Sequence, residues 1–200
     1  MCLRARLPGG GSTAARGCGP GGGGGPPGRN DDGDGCDEIM AISPSGVAIL
    51  KLLPGGLTVL MSGENGSTFG ADSWLLDTAV DHFHHARDYD DDGRFEVLVS
   101  SPWGVGILRL DGDTLTPILL RATGAHLAGG WVLDASRDWP GSAARYGDGG
   151  KTGILVSSPR GIAILECTSG GLECLTIMPD GTDLGGWILD AATDSFGHGT

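Results

Sequence analysis

Closely spaced acidic residues between positions 88 and 96 have the clearest chemistry in this sequence. Carboxylates stand at loop positions 1, 3, 5 and 9, which are Asp88, Asp90, Asp92 and Glu96. Gly93 at position 6 permits a sharp turn, and Arg94 at position 7 can offer its backbone carbonyl. Several oxygens in a flexible cage are what a hard cation prefers, whereas carboxylates this close repel one another without an ion. The loop therefore predicts a calcium site.

A second loop with the same pattern lies earlier in the chain. Its candidate ligands are Asn30, Asp32, Asp34, the backbone carbonyl of Cys36, and Glu38. In a third loop the corresponding positions are occupied by Arg145, Gly147, Gly149 and Gly153, so we expect no ion there and Arg145 can supply a fixed positive charge. An EF-hand is excluded because position 12 of the loop that begins at Asp88 is Val99, inside a predicted strand.

The elements that position these loops are repeated three times. The copies begin at residues 38–44, 96–102 and 153–159, each ending in Pro, and the three prolines are 58 and 57 residues apart. Each continues as Gly-Val-Ala-Ile-Leu, Gly-Val-Gly-Ile-Leu or Gly-Ile-Ala-Ile-Leu and later reaches a tryptophan-initiated motif. These tryptophans are Trp74, Trp131 and Trp187. Such a period in a β-rich chain indicates a propeller or another repeat array.

One copy predicts four short strands. In the second copy these are residues 96–101, 105–110, 115–120 and 131–135, joined by turns rich in Gly, Pro and Asp. Four antiparallel strands form one blade, which must stack on its neighbours to bury its faces. We expect the repeated tryptophans to fill the space between blades, with ligand stacking as the alternative.

The sequence thus predicts an all-β fold: a partial β-propeller of about three four-stranded antiparallel blades. Blade 1 with its leading calcium loop covers residues 30–95, blade 2 covers 96–152, and a truncated blade 3 covers 153–200. Three blades would leave open faces, so the chain is either a fragment of a longer propeller or a partial ring that needs a partner. Further blades from a longer chain or an oligomeric partner are therefore expected.

Residues 1–29 differ sharply from the rest. They hold 11 Gly, 4 Pro, four Arg and no acid, so we predict a disordered low-complexity arm or a wrongly assigned translation start. The remaining residues carry all 25 acids, which argues against nucleic acid as a partner. No stretch is apolar enough to predict a membrane span. Cys167 is read as a small buried apolar residue, with a disulfide to Cys174 as the alternative.

The combination Asp-x-Asp-x-Asp-Gly-x-x-Glu, a short apolar strand and Ser-Pro-x-Gly-x-x-Ile-Leu resembles the FG-GAP or VCBS-type repeats of integrin-α-like β-propellers. The resemblance covers about residues 30–200. It implies that calcium rigidifies the loops between strands and that ligands bind on the loop faces. It also implies that both acidic loops use the ligand positions given above.

Other motifs give no catalytic site. The histidines at 82, 84 and 85 are read as part of a solvated loop, with a transition-metal site as the alternative, and the repeated Ser-Ser-Pro marks a structural turn. We therefore expect a non-catalytic, calcium-binding propeller segment for ligand binding or adhesion, extracellular or at the cell surface, with a protein or glycan ligand. The alternative is an accessory repeat region of an extracellular enzyme or a carbohydrate-binding propeller lectin.

Overall fold

The computed structural model describes residues 38–69, 74–94, 96–146 and 151–196. All regular structure in these ranges is β, arranged in four antiparallel sheets, and the predicted all-β class is confirmed. The arm at residues 1–29 lies outside the described residues. So do four of the five ligands predicted for the first acidic loop, namely Asn30, Asp32, Asp34 and Cys36.

The first sheet has three strands in the order β1-β2-β3, formed by Glu38–Ser43, Gly46–Leu53 and Gly56–Glu64. A small sheet follows, in which β4 (Thr68–Phe69) pairs with β5 (Trp74–Leu75). These bounds agree with the sequence repeat, because the Ser-Pro turn joins β1 to β2 and a Pro-Gly-Gly turn joins β2 to β3.

The second sheet has four strands in the order β6-β7-β8-β9. They are His82–Arg87, Glu96–Ser101, Gly104–Asp111 and Thr114–Ala122. The third sheet repeats this order as β10-β11-β12-β13, and its strands are Trp139–Ala144, Gly153–Ser158, Gly161–Thr168 and Gly171–Pro179. Each of the three large sheets carries a register shift at the same place in the repeat, at Ile49/Leu50, Ile107/Leu108 and Ile164/Leu165.

The glycine after each Ser-Pro turn is required by close packing of the backbone. A Cβ atom at Gly46, Gly104 or Gly161 would collide with a backbone carbonyl oxygen of the neighbouring strand. In the second sheet the carbonyl belongs to Arg121, and in the third sheet to Met178. Only glycine lets β2 approach β3, β8 approach β9 and β12 approach β13 this closely.

The fourth strand of the second and third sheets differs from the prediction. Residues 131–135 form no strand, and Val132 makes only an isolated bridge with His126. The fourth strand is instead β6 or β10, which precedes the loop and pairs antiparallel with the next strand. A bulge between Phe83 and Ala86 breaks the alternation of apolar and polar residues, so the sequence pattern did not show this strand.

The histidine-rich segment was therefore wrongly assigned to a solvated loop, because it forms most of β6. His84 Nε2 lies 2.8 Å from the hydroxyl oxygen of Ser100 on the neighbouring strand. The rings of His82 and His84 lie 5.3 and 5.8 Å from the ring of Trp139 on β10. This segment thus takes part in the junction between the second and third sheets.

Two hydrophobic cores hold the three large sheets side by side. One includes Ile49, Trp74 and Leu108, and the other includes Ile107 and Trp131. Because successive residues of a strand point to opposite faces, Ile107 and Leu108 place the second sheet in both cores. Strands at the same position in neighbouring sheets contact one another. The Nε of Arg87 on β6 donates to the carbonyl of Ala143 on β10 over 3.3 Å. Strand β9 contacts both β3 and β13.

No sheet closes on itself within the described ranges. The same ranges hold no helix that could span a membrane. Cys167 and Cys174 are buried free cysteines, so the interpretation of Cys167 as a small buried apolar residue is confirmed and the disulfide alternative is not. Burial raises the pKa of the Cys167 thiol to about 11, which keeps it protonated.

The first two repeated tryptophans are buried as predicted. The indole nitrogens of Trp74 and Trp131 each donate over 2.8 Å to an aspartate seven residues later, Asp81 and Asp138. That same carboxylate accepts the backbone N–H of the aspartate that ends the motif, which fixes the turn after it. Trp187 differs because it is 63% exposed, although it faces Asp194 in the same way at 3.3 Å.

Candidate metal centre

The acidic loop joins two paired strands. Asp88 follows the last residue of β6, and Glu96 is the first residue of β7. Arg87 and Glu96 are register partners, so the antiparallel pairing brings the two ends of the loop together. The left-handed backbone of Asp91, with φ of 62°, and of Gly93, with φ of 87°, turns the intervening chain back on itself.

Three of the predicted ligands meet. Carboxylate oxygens of Asp88, Asp90 and Glu96 all lie within 4.8 Å of one another. No other group of three acidic, histidine or cysteine side chains among the described residues is this close together. Because three carboxylates at this distance repel one another, positive charge among them is favourable, and the arrangement can hold a metal ion. Oxygen ligands favour a hard cation, but this geometry is not specific to calcium.

The other two predicted ligands are placed at the edge of this cluster. Asp92 is outside the group of three, and one of its oxygens accepts the backbone N–H of Arg94 at 2.9 Å. The guanidinium of Arg94 points to Asp111 at 3.0 Å and to the carbonyl of Leu110. Coordination by the Arg94 backbone carbonyl stays a prediction.

Arg109 on β8 is a site residue that the sequence analysis missed. Its guanidinium contacts Asp90, reaches Asp92 at 3.1 Å and binds Glu96 at 3.1 Å. It stands here because Glu96 and Arg109 are register partners of neighbouring strands. The sequence signal was available: in the first copy Glu38 has the same partner position filled by Lys51, and the two form an ion pair at 3.2 Å.

Burial sets the electrostatics of the site. Glu96 is fully buried, and its two carboxylate oxygens accept from the backbone N–H of Tyr89 at 2.8 Å and from Arg109. Burial raises the pKa of Glu96 to about 7 despite these bonds. Asp88 accepts the N–H of Gly93 at 3.0 Å with one oxygen, and burial also raises its pKa.

The second oxygen of Asp88 provides a test of whether an ion fits. This Oδ1 atom is buried, and no described residue offers it a hydrogen bond. A buried acceptor without a partner costs free energy, and a cation among Asp88, Asp90 and Glu96 would satisfy it. The residues present therefore fit a hard divalent cation.

The third copy lacks two of the side chains that build this centre in the second copy. Gly153 replaces the buried glutamate, and its register partner on the next strand is Glu166 where the second copy has Arg109. At these two paired positions the third copy therefore has a glycine and a glutamate, where the second copy has a glutamate and an arginine. Arg145 is exposed, and the expectation that the third loop holds no ion stays a prediction.

Comparisons with known protein families, with curated proteins and with solved structures found no match.

The raised pKa of Glu96 predicts how stability depends on pH without a metal. The folded protein keeps a proton on Glu96 between its ordinary value of 4.5 and about 7, where the unfolded chain has released it. The free energy of unfolding in chelator therefore falls as the pH rises through this window, and Asp88 acts in the same direction. Urea unfolding at several pH values checks this, and Glu96→Gln should flatten the dependence. A Glu96→Gln variant with the wild-type slope would contradict it.

Proposed function

We propose that this chain is a non-catalytic, calcium-binding β-propeller segment of the FG-GAP or VCBS type that serves ligand binding or adhesion. The observation that carries the proposal is the meeting of Asp88, Asp90 and Glu96 at the start of the second strand of a repeated four-stranded sheet. In the sequence, acidic loops stand at the same position before the first and second copies of the repeat. A chance cluster of surface acids would not recur at the same position.

The packing of the sheets supports the propeller part of the proposal. The two complete sheets share one strand order, and the first three-stranded sheet matches their last three strands. Like strands of neighbouring sheets lie together, as the contacts of β6 with β10 and of β9 with β13 indicate. Blades of a propeller stack in this face-to-face manner around a common axis.

The role proposed for the metal is structural. A bound cation adds positive charge beyond that of Arg109, which already contacts Asp90 and Glu96. The chain holds these ligands in place: the Tyr89 N–H orients Glu96, the Gly93 N–H orients Asp88, and Arg109 draws Asp90 towards Glu96. A fixed loop between the first two strands gives a firm surface for a protein or glycan ligand. Extracellular calcium suits the modest affinity of such modules, so we place the protein outside the cell or at its surface.

One observation favours the alternative of a carbohydrate-binding propeller. A cavity of about 240 Å³ between the second and third sheets is lined by His82, Ser101, Asp138 and the half-exposed Trp139. The hydroxyl of Ser101 is buried, and no described residue hydrogen-bonds it. An indole face beside polar groups is suited to a sugar ring. A glycan array that binds wild type but not Trp139→Ala would favour this function.

Calcium is expected to stabilise the fold. Calcium at about one hundred times its dissociation constant should add about 2.7 kcal/mol to the free energy of unfolding and raise the melting temperature by about 5–10 °C over the value in chelator. Asp90→Ala should abolish most of this shift because it removes a ligand, whereas Asp113→Ala, in the exposed turn between β8 and β9, should keep it. Identical melting curves in chelator and calcium would refute the proposal.

A further inference from the structure

Each large sheet uses its two faces in a fixed way. We call the face towards the preceding sheet the leading face and the face towards the following sheet the trailing face. In the second sheet, Leu110 and Leu115 belong to the leading face and pack in the core shared with the first sheet. Val105 and Ile107 belong to the trailing face and pack in the core shared with the third sheet.

Both junctions inside the chain are built alike. At the first junction Trp74 lies over the leading face of the second sheet, so close that a Cβ atom on Gly106 would stand 2.9 Å from its ring. Its ring centroid is 3.9 Å from that of Trp103. At the second junction Trp131 shares a core with Cys167 and Leu172 on the leading face of the third sheet. A repeated tryptophan from one copy thus covers the leading face of the next.

The described sheets leave two apolar surfaces exposed, one at each end. One is a leading face without a covering tryptophan, and the other is a repeated tryptophan without a sheet to cover. On the leading face of the first sheet, Leu57 is 59% exposed, whereas Leu115 at the same place in the second sheet is 0% exposed. Leu52 is likewise exposed where Leu110 is buried. At the opposite end Trp187 is 63% exposed, whereas Trp74 is 0% exposed. Exposed apolar surface of this extent, in positions buried elsewhere in the same molecule, marks an interface.

We propose that the trailing end of one copy of this chain, with Trp187 at its centre, docks on the leading face of the first sheet of a second copy. At both internal junctions a tryptophan of one copy covers the leading face of the next sheet, so a second copy of this chain offers Trp187 a matching surface. The contact joins two different surfaces, so it is head-to-tail. Two copies bring together six large sheets, which lies within the range of four to eight blades of closed propellers.

The docking surface has room for Trp187. The residue under Trp74 is Gly106, and Ala163 takes that place in the second junction, where Trp131 is buried. Ala48 occupies the same register position in the first sheet, opposite Ala41 as Ala163 is opposite Val156. A methyl group at this position is therefore compatible with a covering tryptophan. This association goes beyond calcium binding and requires no metal at the junction.

Sedimentation of the full chain over a wide concentration range tests the proposal. Wild type should form dimers, or longer chains if the curvature does not close the ring. Leu57→Asp removes the leading surface and Trp187→Ala removes the trailing surface, so each variant alone should be monomeric. Val80→Asp alters another exposed aliphatic residue, which lies in the turn before β6, and should associate like wild type.

Mixing the two variants gives the sharpest result. Leu57→Asp keeps an intact trailing end and Trp187→Ala keeps an intact leading face, so an equal mixture should form one-to-one dimers that neither variant forms alone. A symmetric contact through one surface would not be restored in this way. Circular dichroism verifies folding, and Leu52→Asp replaces Leu57→Asp if the latter unfolds.

Wild type that is monomeric at every concentration would overturn the proposal, because the two faces would then not associate in separate copies. Variants that still dimerise alone, or a mixture that stays monomeric while wild type dimerises, would overturn it as well. These outcomes are read in calcium and in chelator, so loss of calcium binding and loss of association are distinguished.

Discussion

Arg109→Met is expected to lower the free energy of unfolding in chelator by about 3 kcal/mol. The guanidinium contacts Asp90, Asp92 and the fully buried Glu96, and its removal leaves these carboxylates without a counter-charge. Breaking a buried ion pair on one side costs about 3–5 kcal/mol because the remaining charge stays desolvated. Methionine keeps the length of the aliphatic stem, so the loss reports mainly on charge. Urea unfolding at a pH above 7, where Glu96 of the wild type has lost its proton, measures it.

Calcium and a second arginine provide the controls for Arg109. A bound cation replaces part of the missing charge, so the loss in saturating calcium should be clearly smaller than the loss in chelator. Arg94→Met removes a surface ion pair with Asp111 and should cost less than about 1 kcal/mol. Equal losses for Arg109→Met with and without calcium would show that no cation enters this cluster.

Trp74→Ala is expected to lower the free energy of unfolding by about 3–5 kcal/mol. The side chain is fully buried in the core between the first and second sheets, and its truncation leaves a large cavity there. It also leaves the carboxylate of Asp81 without the indole N–H it accepts. Chemical denaturation at low protein concentration measures the difference.

Trp187→Ala is the matched control for Trp74→Ala. It makes the same chemical change at the same place in the repeat, but its side chain is exposed in the single chain. At concentrations where the protein is monomeric it should cost less than about 1 kcal/mol. A loss as large as that of Trp74→Ala would mean that Trp187 is covered within its own chain.

The strands after each acidic loop could be predicted from the sequence because their signals are local. Apolar runs on either side of a Ser-Pro turn predicted strands at residues 96–101 and 105–110. The structure has these strands at Glu96–Ser101 and Gly104–Asp111. The strand His82–Arg87 could not be predicted, since a bulge and three histidines hide its alternation. Its strand character comes from pairing with a neighbour, which no local pattern shows.

The candidate site was predictable to the extent that it lies in one loop. The spacing of Asp88, Asp90 and Glu96 was sufficient because the loop folds on itself. Arg109 was missed because it reaches the loop across two strands, although the pairing of Lys51 with Glu38 in the first copy was a usable sign. The exposure of Trp187 depends on which sheet lies next to it, and the sequence of the copy itself does not contain that information.

Titration calorimetry of the full chain with calcium, after removal of metals by chelator, tests the central claim most directly. Wild type should bind calcium saturably, Asp88→Asn should bind one ion fewer per chain, and Asp113→Asn should bind like wild type. If Asp88→Asn and wild type take up the same number of ions, or if wild type takes up none at millimolar calcium, the acidic loop is not a calcium site.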